Sequence, residues 1–272
     1  MYFTFKNKFT CPICKDLILD PVIIGCGHSF CRPCLYLLWE DAENPPCCPV
    51  CRESSYKINF KTSIALKKQA FVARVKGLTH LPSSEQQMCM IHMKTKDFFC
   101  EVVKDTVCRT CSKSEGHKSH RHSSIPWIAE EYRQKLLEQM RLLWEKMQEN
   151  KMNLTRETNK IRTWEDHVAL RRKMICADFQ KEFPLSDREE RMYLQKLEYE
   201  SKEIFHQLNK SENCMARKGE LLRKVYKELK EMCHQPDIEL IQHFEELKER
   251  KLLESNFIEK INSGKAKYDE SE

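Results

Sequence analysis

Residues 11–52 read CPICKDLILDPVIIGCGHSFCRPCLYLLWEDAENPPCCPVCR, and this stretch decides how the front of the chain folds. It contains Cys11-x2-Cys14, Cys26-x-His28, Cys31-x2-Cys34 and Cys48-x2-Cys51. A two-residue spacer lets one tight turn present two thiolates to one tetrahedral zinc ion. Eight ligands in four pairs, three of them with that spacer, satisfy two closed sites. A closed site leaves no position for water, so the metal there is structural rather than catalytic. A stretch of about 40 residues buries too little apolar surface to fold unaided, and the metal supplies the folding energy.

The rest of the 272 residues is read outward from this module. Twelve of the 15 cysteines lie at or before Cys111, and only Cys176, Cys214 and Cys233 follow. No signal peptide or membrane span is legible, so thiols are expected to stay reduced and to bind metal. That fits a cytoplasmic chain with the nucleus also open to it. The formal net charge of +6 comes without a dense basic patch, and stretches such as Arg188-Glu189-Glu190-Arg191 read as a solvated face. With no DNA-reading finger spacing either, nucleic acid is an unfavoured partner. Six glycines are few, which favours long helix over loop and sheet.

A second cluster runs Cys89-x2-His92-x7-Cys100-x7-Cys108-x2-Cys111-x5-His117-x2-His120. Between the clusters, residues 61–80 look helical, with Ile64, Phe71, Val75 and Leu78 on one face, and Leu81-Pro82-Ser83-Ser84 reads as a linker.

From about Glu130 the apolar residues step by 4 and 3: Leu136, Met140, Leu143, Met147, Asn150 and Leu154, continuing to Val168. A second series runs from Leu194 to Met232. This is the a/d seam of a coiled coil, which must find a partner. Ile175, Phe179 and Phe183 break the phase, and Pro184 predicts a kink or a local interruption there. A continuous helix from Glu130 to His234 would be about 155 Å long at roughly 1.5 Å per residue. That reading is preferred over a shorter bundle within one chain, because turn residues are few. Gln235-Pro236-Asp237 predicts a stop, and Ile238, Ile241, Phe244 and Leu247 predict a short helix folding back.

The ligand order of the first cluster, three cysteines, a histidine and four cysteines, resembles the RING finger at all eight positions. The resemblance implies interleaved sites: Cys11, Cys14, Cys31 and Cys34 on one zinc, and Cys26, His28, Cys48 and Cys51 on the other. It places Ile13, Trp39 and Pro49 in the groove that receives a ubiquitin-conjugating enzyme. Arg52 takes the position of a basic linchpin that contacts enzyme and ubiquitin together. The second cluster resembles a B-box of the second type. That implies one zinc on Cys89, His92, Cys108 and Cys111, and Cys100, His117 and His120 towards another. Val103 stands where that family has a further ligand, Asp or Cys, and valine cannot ligate. Asp105, Glu101, His122 or water are the candidates to fill the gap, the alternative being an empty site, with His122 reading as a free surface residue.

RING, B-box and coiled coil in this order resemble the tripartite-motif family over nearly the whole chain. The implied fold class is small zinc-bound α+β modules followed by an all-α long antiparallel coiled coil. The expected division is 1–60 RING, 61–87 helical linker, 88–126 B-box, 127–235 coiled coil, and 236–272 return helix and polar tail. The expected cofactor is Zn2+, two ions in the RING and one or two in the B-box. The C-terminal PRY-SPRY domain of many members is not in this sequence, which reads as a short member. The implied function is a ubiquitin ligase scaffold with no covalent catalytic residue. It would work with a ubiquitin-conjugating enzyme and ubiquitin, and would form a homodimer or heterodimer through the coiled coil. The competing reading is a catalytically weak regulator that pairs with longer relatives.

Overall fold

The computed structural model describes residues 9–40, 46–55, 62–75, 88–181 and 187–249. The expected linker at Leu81–Ser84, Leu78, the Pro184 kink and the polar tail lie outside them. Strands β1 (Pro21–Ile23) and β2 (Ser29–Cys31) form an antiparallel hairpin, followed by helix α1 (Arg32–Trp39) and helix α2 (Ile64–Val75). Next come β3 (Lys96–Cys100), β4 (Asp105–Cys108) and β5 (His122–Ser124), an antiparallel sheet in the order β4-β3-β5. Three helices finish the described chain: α3 (Ile125–Lys181), α4 (Asp187–Cys233) and α5 (Asp237–Glu249). None is long and apolar enough to cross a membrane.

Two compact units emerge. One comprises Met1–Leu142 with Tyr226–Glu272, and the other Leu143–Val225. In the first, both zinc modules pack on the helix ends. Asp20, 4% exposed, accepts from Arg32 Nε at 2.8 Å, Thr62 Oγ1 at 2.6 Å and an Arg141 guanidinium nitrogen at 2.8 Å. Arg74 of α2 pairs with Glu130 of α3 at 3.0 Å and donates to the Ile18 carbonyl. Tyr132 stacks on Phe244 at 4.0 Å, meets Phe99 of the B-box sheet edge-on, and hydrogen-bonds Glu245. Arg133, almost fully buried, donates to the Cys233 and Gln235 carbonyls and to Asp237. One guanidinium therefore satisfies the last carbonyl of α4 and one in the turn after it, and anchors the start of α5.

On the apolar face of α2, Phe71 meets Trp127 edge-on while the other described residues stay exposed. Ile64 is 67% exposed and Val75 47%, whereas Ala70 and Ala73 are buried and Leu66 joins the Phe9–Leu17 cluster. Small residues let this helix approach closely, and its larger side chains are left to the rim.

The second unit is the helical pair. Pairing within one chain, the less favoured of the two readings, is what the described residues show. Helix α3 ends at Lys181 and α4 starts at Asp187, so the seam finds its partner within the chain. Asn150 Nδ2 donates to the Met215 carbonyl at 2.9 Å, Thr158 to Glu212, and Phe179 meets Tyr193. These pairings run in opposite directions along the chain and define an antiparallel coiled coil. The pairing takes the apolar stripe of each helix out of water. Gly219 allows the close crossing, since a Cβ there would lie 3.0 Å from Asn150 Nδ2.

Candidate metal centres and contact residues

A local fold recurs at the ligand pairs. Lys15 N–H donates to the Cys11 carbonyl (2.9 Å), Arg52 to Cys48 (2.8 Å), Met93 to Cys89 (2.8 Å) and Lys104 to Cys100 (2.8 Å). Each donor is a non-glycine residue with positive φ, between 48° and 62°. The chain closes a knuckle on the first ligand and turns left-handed just after the third following residue. That turn aims residues one and four of the knuckle at one point.

Among the described residues the structure gathers three full tetrads: Cys11, Cys14, Cys31 and Cys34; Cys26, His28, Cys48 and Cys51; and Cys89, His92, Cys108 and Cys111. Within each, the ligand atoms lie within 4.8 Å of one another. Zn–S and Zn–N bonds of roughly 2.3 and 2.0 Å set tetrahedral edges of about 3.8 Å between sulfurs and about 3.5 Å between sulfur and nitrogen. The observed edges fit: Cys14–Cys31 3.9 Å, Cys89–Cys111 3.7 Å, Cys48–His28 3.6 Å and Cys108–His92 3.6 Å. Without a cation the thiols oppose one another's ionisation. Burial, then the Cys11, Cys14 and Cys34 thiols, push Cys31 well up, while hydrogen bonds from its neighbours push Cys14 down. Burial and the thiols of Cys89 and Cys108 raise Cys111 to about 11. A divalent cation resolves that conflict by letting all the ligands deprotonate. Zinc is the cofactor these sets fit.

The fourth cluster departs from expectation. Cys100 and His117 come together with His122. His120 Nδ1 is 3.4 Å from Cys100 Sγ but lies outside that mutual group. His122 is therefore not the free surface residue its sequence context suggested, because strand β5 sets it beside Cys100. Glu101 instead accepts from Ser123 and Arg121, and Asp105 from its neighbour Thr106. Neither acid joins the cluster.

Of the four contact residues, Pro49 and Arg52 are exposed, and Ile13 and Trp39 are half-buried. Ile13 sits inside the first knuckle, and Arg52 at the left-handed position of the second, with φ 62°. Trp39 donates from Nε1 to the Cys47 carbonyl at 3.1 Å, so it also ties α1 to the last ligand pair. Leu38 and Val50, 47% and 48% exposed, are additional large apolar residues of this module. The repeat of Cys-Pro-Ile-Cys as Cys-Pro-Val-Cys could have marked Val50, which holds the position of Ile13.

Comparison with known proteins agrees with this geometry. The RING-type zinc-finger family matches residues 11–49. The human tripartite motif-containing protein 49 is 48% identical over 246 residues, covering 90% of this chain and 54% of its own length. The human tripartite motif-containing protein 51 is 46% identical with the same coverage. The human tripartite motif-containing protein 64 is 44% identical over 238 residues, covering 88% of this chain and 53% of its own length. The chain thus spans about half the length of the curated relatives it matches, and across that span it belongs to the tripartite-motif family.

Proposed function

We propose that this chain is a ubiquitin ligase scaffold that binds a charged ubiquitin-conjugating enzyme and promotes transfer of ubiquitin to a substrate lysine. The observation that supports it best is the site around the second RING knuckle. Arg52 is exposed and held left-handed directly after the last ligand, beside exposed Pro49 and Val50. A guanidinium has several donors in a rigid fork and can bridge carbonyls on two proteins at once. Held there, it would fix ubiquitin against its conjugating enzyme with the thioester open to attack. Ile13 would fill the apolar part of the groove. The chain supplies no nucleophile: the incoming lysine amine attacks the thioester carbonyl and the conjugating enzyme's cysteine thiolate leaves. The gain is orientation of two reactants.

The test is ubiquitin discharge from a panel of charged conjugating enzymes. Discharge by the wild type that falls at least tenfold with Ile13→Ala and with Arg52→Ala supports the reading. Equal discharge by all three proteins, or none from the zinc-loaded wild type, overturns it.

A second reading concerns partners. Leu170, Met174, Met192, Tyr193, Tyr199 and Ile204 of the helical pair are all exposed. That much apolar surface on one coiled coil suits association with a second copy or a longer relative, and a regulator would use the same surface. Sedimentation of the zinc-loaded chain as a monomer across micromolar concentrations would count against self-association. The thiol-rich zinc sites suit a reducing compartment such as the cytoplasm.

A further inference from the structure

The fourth knuckle is complete in its backbone and defective in its ligands. Lys104 closes on the Cys100 carbonyl with φ 60°, as Lys15, Arg52 and Met93 close on Cys11, Cys48 and Cys89. In those three knuckles the last position before the closing residue is Cys14, Cys51 or His92. Here it is Val103, which is 51% exposed and has no lone pair to give. The sheet supplies a substitute. Cys100 and His122 are directly opposed across β3 and β5. Opposed residues share a face, with Cβ atoms about 4.5–5.5 Å apart. The Cys100 and His122 side chains and that of His117 accordingly bring their ligand atoms within 4.8 Å of one another. His120 Nδ1 stands 3.4 Å from the Cys100 sulfur, close to the roughly 3.5 Å edge of an S–Zn–N pair, but lies outside the mutual group of the other three and has to move inwards to complete a tetrahedron.

A second observation points the same way. His117 Nδ1 and His122 Nε2 are buried and have no hydrogen-bond partner among the described residues. A buried polar nitrogen left unpaired is costly, and two in one cluster beside a thiol require an explanation. A cation between them provides it.

We propose that His122 takes the ligand position lost at Val103, so that Cys100, His117, His120 and His122 form a second B-box zinc centre of one thiolate and three imidazoles. The inference rests on the zinc-module reading of the front of the chain. Its particular content is the ligand donated by the neighbouring strand, which frees position 103 from its role.

Zinc counting by native mass spectrometry of the full chain tests it. The wild type should carry four zinc ions and His122→Ala three. Val103→Ala should keep four, since Val103 ligates nothing. Adding Val103→Asp to His122→Ala should restore the fourth ion, because the knuckle then regains a ligand of its own. That rescue separates ligand loss from misfolding of the module. A wild type with three ions, a His122→Ala variant that keeps four, or a double variant that fails to regain the fourth would each overturn the proposal. A wild type with fewer than three would overturn the zinc-module reading as well, so the two failures are distinguishable.

Discussion

Arg52 carries two conflicting demands at once. The knuckle requires a left-handed residue after Cys51, and arginine meets that requirement at φ 62° only against the clash of its own Cβ with the backbone. That conformation costs about 1–2 kcal/mol for an L-residue and is free for glycine. Nothing in the metal site needs the side chain, which is exposed. Arg52→Gly should therefore raise the thermal stability of the RING by roughly 1 kcal/mol while abolishing stimulated ubiquitin discharge. Thermal denaturation of the zinc-loaded protein checks the first part and single-turnover discharge the second. A variant that loses stability would mean that Arg52 serves the fold. The same scale explains what was readable in the sequence. Cys-x2-Cys pairs were legible because a knuckle is local and its ligands are fixed by spacing. His122 was one candidate among several and could not be singled out, because its placement beside Cys100 is set by strand register, and register is not written in spacing along one strand.

At the level of elements, Asp20 links the RING to the long helix. Burial acts to raise its carboxyl. Hydrogen bonds from Thr62 and Arg141 and the charges of Arg32 and Arg141 outweigh that and hold it below its ordinary value. A depressed carboxylate contributes stability that is complete above the unfolded value of about 3.9 and is lost as pH falls through the folded one. Asp20→Asn should thus destabilise the protein by about 3 kcal/mol, because the Arg32 guanidinium is left buried without a countercharge. The deficit should stay constant between pH 6 and pH 8, where the wild-type carboxylate is ionised throughout. Melting curves across that range measure it, and a deficit that vanished within the range would refute the assignment. The seams of α3 and α4 were legible from their 3 and 4 steps, and the end of α4 from Gln235-Pro236-Asp237. The buried contact of α2 was not legible because Ala70 and Ala73 carry no strong hydrophobic signal, yet small side chains are what a close contact selects.

Across the whole molecule, heptad periodicity announces that a helix needs a partner without saying whether the partner lies in the same chain. The preference for one long helix failed on that ambiguity. The two compact units also differ in what holds them. Met1–Leu142 with Tyr226–Glu272 contains every full metal tetrad, and the base of α3 packs there against a sheet that zinc organises. Among its described residues, Leu143–Val225 contains none. It relies on side chains such as Leu143, Met147, Leu222 and Val225, with buried Asn150 fixing the crossing. Chelation should therefore separate the two. Removing zinc takes away the folding energy of the small modules, since the thiolates then repel or protonate. The helical pair loses no ligand. Hydrogen exchange after treatment with a strong chelator should show protection lost in residues 9–142 and 226–249 and kept in 143–225, with a far-UV helical signal only partly reduced. Protection lost in both units together, at one chelator concentration, would mean that the zinc modules and the helical pair fold as a single cooperative body, and that the metal stabilises the coiled coil as well.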